Sequence, residues 1–306
     1  MSSLKYKYIT LLNNFYFIMS AIKNLKNLLN IEKISDNRFR ASVSEFGWTR
    51  VYGGLIVAQS IIASYRTVKD KNLHSLHSYF LRAGDPDIIM DYEVHTLREG
   101  RSFAQRIVSA YQSDKLVFYM IASFQKKEKG LEHQEKIPSG IVTPENLKTE
   151  MEILDDIFKN KPDNIKDTRQ RGRAIEFRPI KPRDITMLKN EDPLQLLWLK
   201  TSAKIDLDPI MNQALLAYAS DYTILDTALM PHGISIFQKD IQVASLDHSI
   251  WFHDSNFDIN DWTLYSQKST KTSGNRGFAE GMLYSYEGNL IATVAQEGMI
   301  RKMPTI

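Results

Sequence analysis

The sequence predicts an α+β protein in which a buried helix laid on an antiparallel sheet occurs twice. Three observations carry this. Residues 55–65, LIVAQSIIASY, are apolar nearly all round, as expected of a helix with no solvent face. Strand-forming segments follow at 73–81, 91–98, 102–112 and 115–125, separated by turn chemistry at Gly84-Asp85-Pro86, Arg98-Glu99-Gly100 and Gln112-Ser113-Asp114. Pieces of the first half then return, in the same order, in the second.

Composition sets the outer bounds. A chain of 306 residues, 43% hydrophobic and 25% charged, can bury one large core or two ordinary ones, and two domains are expected. The net charge is only +3 and no basic run is interleaved with aromatics, so no nucleic-acid partner is indicated. Cysteine is absent. That removes disulfides, thiolate metal sites and cysteine nucleophiles, leaving an oxygen nucleophile or water for any acyl transfer. It also fits a reducing compartment.

Residues 1–18 place Lys5 and Lys7 before Ile9, Leu11, Leu12, Phe15, Phe17 and Ile18, in imitation of a signal peptide. Asn13 and Asn14 interrupt the apolar run, which is also too short to span a bilayer, so a membrane role is not expected. Met19 is the expected functional start, with 1–18 an upstream extension. Ile22, Leu25, Leu28 and Leu29 make a short amphipathic helix, and strands are expected at 39–43 and 45–51. Gly53 and Gly54 precede the buried helix: they form either a plain tight turn or a place where a ligand or another backbone approaches the helix start. An N-terminal unit is expected over 19–127. Prolines punctuate the polar stretch 128–190, read as a linker with one helix over 145–161. The C-terminal unit, 191–306, opens with a strand over 194–204 and a second apolar helix over 209–230.

The stretch Ile241 to His253, IQVASLDHSIWFH, reads as one alternating strand, with Ile241, Val243 and Ser245 on one face. A serine in phase with β-branched residues is aimed at something buried, or it hydrogen-bonds its own neighbourhood. His77-Ser78-Tyr79-Phe80 resembles His248-Ser249-Ile250-Trp251-Phe252 at a shift of 171, and Gln125 matches Gln296 at the same shift. Arg101-Ser102-Phe103-Ala104 matches Arg276-Gly277-Phe278-Ala279 at a shift of 175.

Helix-then-meander repeated twice, with GGLIVAQS in the first half and LLAYASD, ASLDHSIWFH and AQEGMIR in the second, resembles the acyl-CoA thioesterase II family, TesB type, over about 19–301. The resemblance implies a double hotdog fold and hydrolysis of fatty acyl-CoA to free acid and CoA. It implies an Asp on the second helix, a Ser or Thr on a following strand and a Gln on the last strand, which fall here on Asp221, Ser245 and Gln296. Asp221 would be the base for attack by water, with no metal and no organic cofactor. A homodimer or larger homo-oligomer is also implied. The C-terminal Met303-Pro304-Thr305-Ile306 lacks a Ser-Lys-Leu signal, which favours the cytoplasm.

The residues themselves leave some roles open. Asp221 lies in apolar surroundings where a carboxylate is costly unless partnered or used, or else Ser220-Asp221 is a helix cap. Gln296 lies in an apolar strand and is a satisfied core amide or a functional one. The first helix offers Gln59 and Ser60 but no acid, which places the chemistry in the second half. His77, His248 and His253 lack a common metal-ligand spacing, and His248 and Trp251 read as structural or pocket-lining. A G-x-S-x-G nucleophile elbow is missing. Two alternatives stand beside hydrolysis: a hotdog hydratase or dehydratase, and a non-catalytic acyl-CoA binding module.

Overall fold

A computed structural model describes residues 17–44, 50–159 and 173–303. In chain order these form α1 (17–29), β1 (Glu32–Lys33), β2 (Arg38–Ala41), α2 (Gly53–Tyr65), β3 (Asn72–Phe80), β4 (Met90–Glu99), β5 (Phe103–Gln112) and β6 (Lys115–Gln125). The connecting stretch holds α3 (Glu150–Phe158) and β7 (Ile175–Pro179). The second half adds β8 (Leu194–Thr201), α4 (Pro209–Ser220), α5 (Asp226–Leu229), β9 (Ile241–Ser245), β10 (Asp247–Phe252), β11 (Thr263–Ser273), β12 (Arg276–Ser285) and β13 (Leu290–Lys302).

All strands belong to one antiparallel sheet in the order β1-β2-β4-β5-β6-β3-β10-β13-β12-β11-β8-β7, with β9 also paired to β13. The two halves meet where β3 pairs with β10, Leu76 opposite Ile250 and Ser78 opposite His248. The sheet wraps α2 and α4, which pack directly on each other. They run antiparallel: Tyr52, before α2, donates its hydroxyl to the carbonyl of Tyr218 near the end of α4, and Tyr65 at the end of α2 donates to Gln213 near the start of α4. Because the sheet curls round both helices, neither keeps a polar face, and residues 54–64 of α2 are all buried. Of its polar members, Gln59 is satisfied by the carbonyls of Leu28 and Ser42 and the hydroxyl of Tyr92, and Ser64 donates to the carbonyl of Ile61. Leu55, Ile61, Leu76, Phe118, Leu216 and Val294 belong to a single core shared by both halves.

Several expectations need adjustment. The second helix does not run to Met230; it stops at Ser220, the chain turns over 221–225, and only α5 and a short 3-10 turn follow. An unbroken apolar run shows no break when turn and helix are equally buried. The strand expected over 241–253 is two strands, β9 and β10, interrupted at Leu246, whose N–H donates to Glu297 and whose carbonyl accepts from Phe80. The interruption shifts the alternation by one residue. Consequently Ser245 and His248 both face the helices, whereas His77, the sequence mate of His248, faces outward and is exposed. Within the stretch read as linker, β7 pairs with β8, while Ile137, Ile141 and Leu147 cover Trp198, Leu264 and Tyr284 on the outer face of the sheet. The helix there is α3, capped reciprocally by Thr149 and Glu152. The strand expected over 45–51 lies mostly outside the described residues, as do residues 1–16; α1 is helical from residue 17, ahead of Met19, and buries Ile22, Leu25, Leu28 and Leu29.

Candidate active site

Asp221 is the C-cap of α4, next to the negative end of that helix's dipole, an unfavourable place for a carboxylate. What compensates is the other helix. Tyr52 gives α2 no side-chain cap, and Asp221 supplies one from across the molecule: Gly54 N–H donates to Asp221 Oδ2 at 2.8 Å. The two glycines make that approach possible. A Cβ at position 53 would lie 2.7 Å from Asp221 Oδ2 and 2.9 Å from the Phe80 ring, and one at 54 would lie 2.5 Å from the Tyr218 carbonyl oxygen. The group that meets the Gly54 N–H is a side-chain carboxylate of the same chain, and the backbone carbonyl of Tyr218 also passes close to Gly54.

Three further side chains complete the cluster. Gln296, on β13 and 1% exposed, donates from Nε2 to Asp221 Oδ1 at 2.8 Å and to Ser245 Oγ at 2.7 Å. Ser245, at the end of β9, donates its hydroxyl to Asp221 Oδ1 at 3.2 Å. His248, on β10 and fully buried, meets Gln296 Oε1 through Nδ1 and lies 2.9 Å from Ser220 Oγ through Nε2. Asp221, 9% exposed, thus receives hydrogen bonds from Gln296, Ser245 and Gly54. Burial holds His248 below its ordinary pKa, against the upward pull of Asp221 and Gln296.

A wall of rings stands beside this cluster. Tyr52 meets Tyr218 edge-on at 4.9 Å, and Phe177 of β7 stacks on Tyr222 at 4.9 Å. The Arg173 guanidinium lies 4.3 Å from the Tyr222 ring centre and pairs with Glu150 of α3. The connecting stretch therefore contributes to the surroundings of Asp221. Burial pushes the Tyr222 phenol well above its usual range.

The structure brings together Asp221, Ser245, Gln296, His248, Gly53 and Gly54. Trp251 is not among them: it lies on the opposite face of β10 from His248, edge-on to His77 at 5.1 Å. Ser220 was visible in sequence only as a possible cap, and Tyr265, which donates to the Ser220 carbonyl at 2.8 Å, carried no signal at all. Among the described residues no group of three His, Asp or Glu side chains converges as metal ligands would. A separate cleft of about 610 Å³, walled by Ile62, Tyr65, Arg66, Asp208 and Met211, opens at the opposite end of the helix pair from Asp221.

Two helix-and-meander units sharing one sheet, with a carboxylate, an amide and a hydroxyl converging where the helices meet, define a double hotdog protein. The sequence matches two family models, Acyl-CoA thioesterase over residues 184–299 and Acyl-CoA thioesterase N-terminal domain over residues 42–125. It is 40% identical to Acyl-CoA thioesterase 2 of Haemophilus influenzae, with 92% of this chain and 98% of that protein covered. It is 35% identical to human Acyl-coenzyme A thioesterase 8, covering 91% and 89% of the two. The fold is similar to that of the acyl-CoA thioesterase II TesB2 from Mycobacterium marinum, with a TM-score of 0.74, 30% identity, and 92% and 99% of the chains covered. The chain belongs to the acyl-CoA thioesterase II family, and its activity is hydrolysis of the acyl-CoA thioester.

Proposed function

We propose that Asp221 is the general base of this hydrolysis and that Ser245 and Gln296 orient the attacking water. The observation that carries the reading is the convergence of Gln296 Nε2, Ser245 Oγ and Gly54 N–H on one carboxylate. The geometry leaves a lone pair of Asp221 and one of Ser245 Oγ for the hydrogens of a water. As Asp221 takes a proton, the water oxygen bonds to the thioester carbon and a tetrahedral oxyanion forms. Its collapse breaks the carbon–sulfur bond, and the proton held on Asp221 passes to the CoA thiolate. The products are a carboxylic acid and CoA, and no covalent enzyme intermediate intervenes. Gly54 N–H is committed to the base, so its part is to hold Asp221 rather than to meet the oxyanion.

Thiol release from palmitoyl-CoA and shorter acyl-CoAs, by wild type and by Asp221→Asn, tests the assignment. Loss of about 10²–10⁴ in kcat with the fold retained is expected. Unchanged release by the variant overturns it.

The same proposal takes fatty acyl chains as the acyl group and a homodimer or larger assembly as the working form. Support for assembly comes from the outward face of the sheet, where Leu97, Phe103, Ile121, Tyr79 and Trp251 are exposed. Sedimentation that gave the chain mass alone at micromolar concentration would refute it. A cytoplasmic location fits a chain without cysteine. No helix among the described residues is long and apolar enough to cross a membrane.

A further inference from the structure

His248 sits between two groups with fixed demands, and together they determine where its proton resides. Asp221, when ionised, only accepts, so Gln296 must turn Nε2 towards it, and Gln296 Oε1 is left facing His248 Nδ1. An oxygen there requires a donor. A fully buried imidazole held below its ordinary pKa is neutral at pH 7 and carries a single N–H. That hydrogen must lie on Nδ1. Nε2 is then an acceptor, and the group beside it, Ser220 Oγ at 2.9 Å, must turn its one hydrogen to it and away from the Ala217 carbonyl, which also lies 2.9 Å away. Tyr265 steadies Ser220 by donating to its carbonyl. The result is a one-way chain of donors, from Ser220 to His248 to Gln296 to Asp221, built from residues of α4, β10 and β13.

We infer that His248, held by Ser220, is a positioning residue for thioester hydrolysis: its Nδ1–H fixes the Gln296 amide in the orientation that presents Nε2 to Asp221 and Ser245. It touches neither substrate nor water. Without this donor only the demand of Asp221 and Ser245 for the amide nitrogen selects the productive orientation. Rotated by half a turn, Gln296 would set Oε1 against the carboxylate, and Ser245 would lose the donor that anchors it. This inference rests on the reading of Asp221 as base and Gln296 as its partner.

Nitrogen-15 spectra of histidine-labelled protein at pH 7.5, with the His248 signals assigned by their absence from His248→Asn, read the tautomer directly. A protonated Nδ1 and a bare Nε2 are expected; the opposite tautomer, or a cationic ring, overturns the inference. Kinetics provide the second arm. In His248→Asn the amide nitrogen falls near the place of Nδ1, whereas in His248→Gln it falls near that of Nε2. The Asn variant should lose about threefold in kcat and the Gln variant about thirtyfold, both with KM within about twofold of wild type, as expected for one misdirected buried hydrogen bond. Equal losses in the two variants overturn the inference. The tautomer is read whether or not thiol is released, so absence of turnover in the wild type counts against the catalytic reading, and a wrong tautomer counts against this one.

Discussion

Gly54 and Asp221 stand 167 residues apart in the chain and are joined by a 2.8 Å hydrogen bond from backbone N–H to carboxylate. The bond spans the two repeats: the acid belongs to the second, and the donor that holds it belongs to the first. Asp221 caps a helix in the other half of the molecule, so the geometry of this carboxylate depends on how α2 and α4 pack.

Substituting the glycines should separate stability from activity. A Cβ at position 54 meets the Tyr218 carbonyl oxygen, part of the backbone, which cannot yield cheaply. Gly54→Ala is therefore expected to cost about 1–3 kcal/mol through overpacking, seen as a lowered Tm. At position 53 the obstacles are side chains, the Asp221 carboxylate and the Phe80 ring. Gly53→Ala should leave Tm closer to wild type and reduce kcat by displacing Asp221. Equal effects on Tm and kcat in both variants would contradict this division.

Gln296→Glu sets a second carboxylate against Asp221, in place of a donor 2.8 Å away. Two acids at that separation share one proton, and the second proton leaves only at higher pH. The acidic limb of the kcat/KM profile should move to higher pH, with a larger loss at pH 6 than at pH 9. A profile that keeps its shape and drops uniformly would show that Gln296 does not govern the ionisation of the base.

Asp226, in the first turn of α5, is pushed up to about 7 by burial and by Glu150, against the opposing pull of Arg183 and Arg173. The unfolded chain releases this proton near 3.8, so between about pH 4 and 7 the folded state holds a proton that the unfolded state has lost. The contribution to stability is present below that window and declines as pH rises through it. Asp226→Asn should flatten the decline and raise Tm at pH 8 relative to wild type, while the two melt together near pH 4. Parallel curves of Tm against pH would rule out the shift.

Arg106 is a buried cation of the first repeat, donating to the carbonyls of Thr67 and Arg98, to the Thr67 hydroxyl and to Glu99. Glu99 is exposed enough to regain water, but the Thr67 and Arg98 carbonyls lose a charged donor. Arg106→Ala should cost about 2–3 kcal/mol in denaturant unfolding. Turnover at a temperature where the variant is folded should be unchanged.

The strand meanders were legible because turn residues bracket alternating segments, and α2 because an apolar run that long has no other use. Asp221, Ser245 and Gln296 were placed through resemblance to a family, and their convergence came only with the structure. What escaped was phase. Ile241, Val243 and Ser245 follow one alternation and His248, Ile250 and Phe252 the other, so no single period fits the whole stretch. The misfit was the available sign of an interruption, and with it His248 would have been placed on the side of Ser245. The same slip explains why a shift of 171 paired His77 with His248 although one faces out and the other in. The end of α4 was hidden for a different reason, since Tyr222, Ile224 and Leu225 are as apolar as the helix before them.

The ends of the two central helices are alike in position and opposite in charge: Asp221 closes α4, and Arg66 closes α2. At the end of α2 the position that Asp221 holds at the end of α4 is taken by a cation, so the Asp221 cluster is not repeated at the end of α2. In terms of stoichiometry, a non-hydrolysable acyl thioether of CoA should saturate the protein at one molecule per chain. In an assembly mixed from wild-type and Asp221→Asn chains, specific activity should follow the fraction of intact chains in a straight line, because the Asp221 cluster is built within one chain.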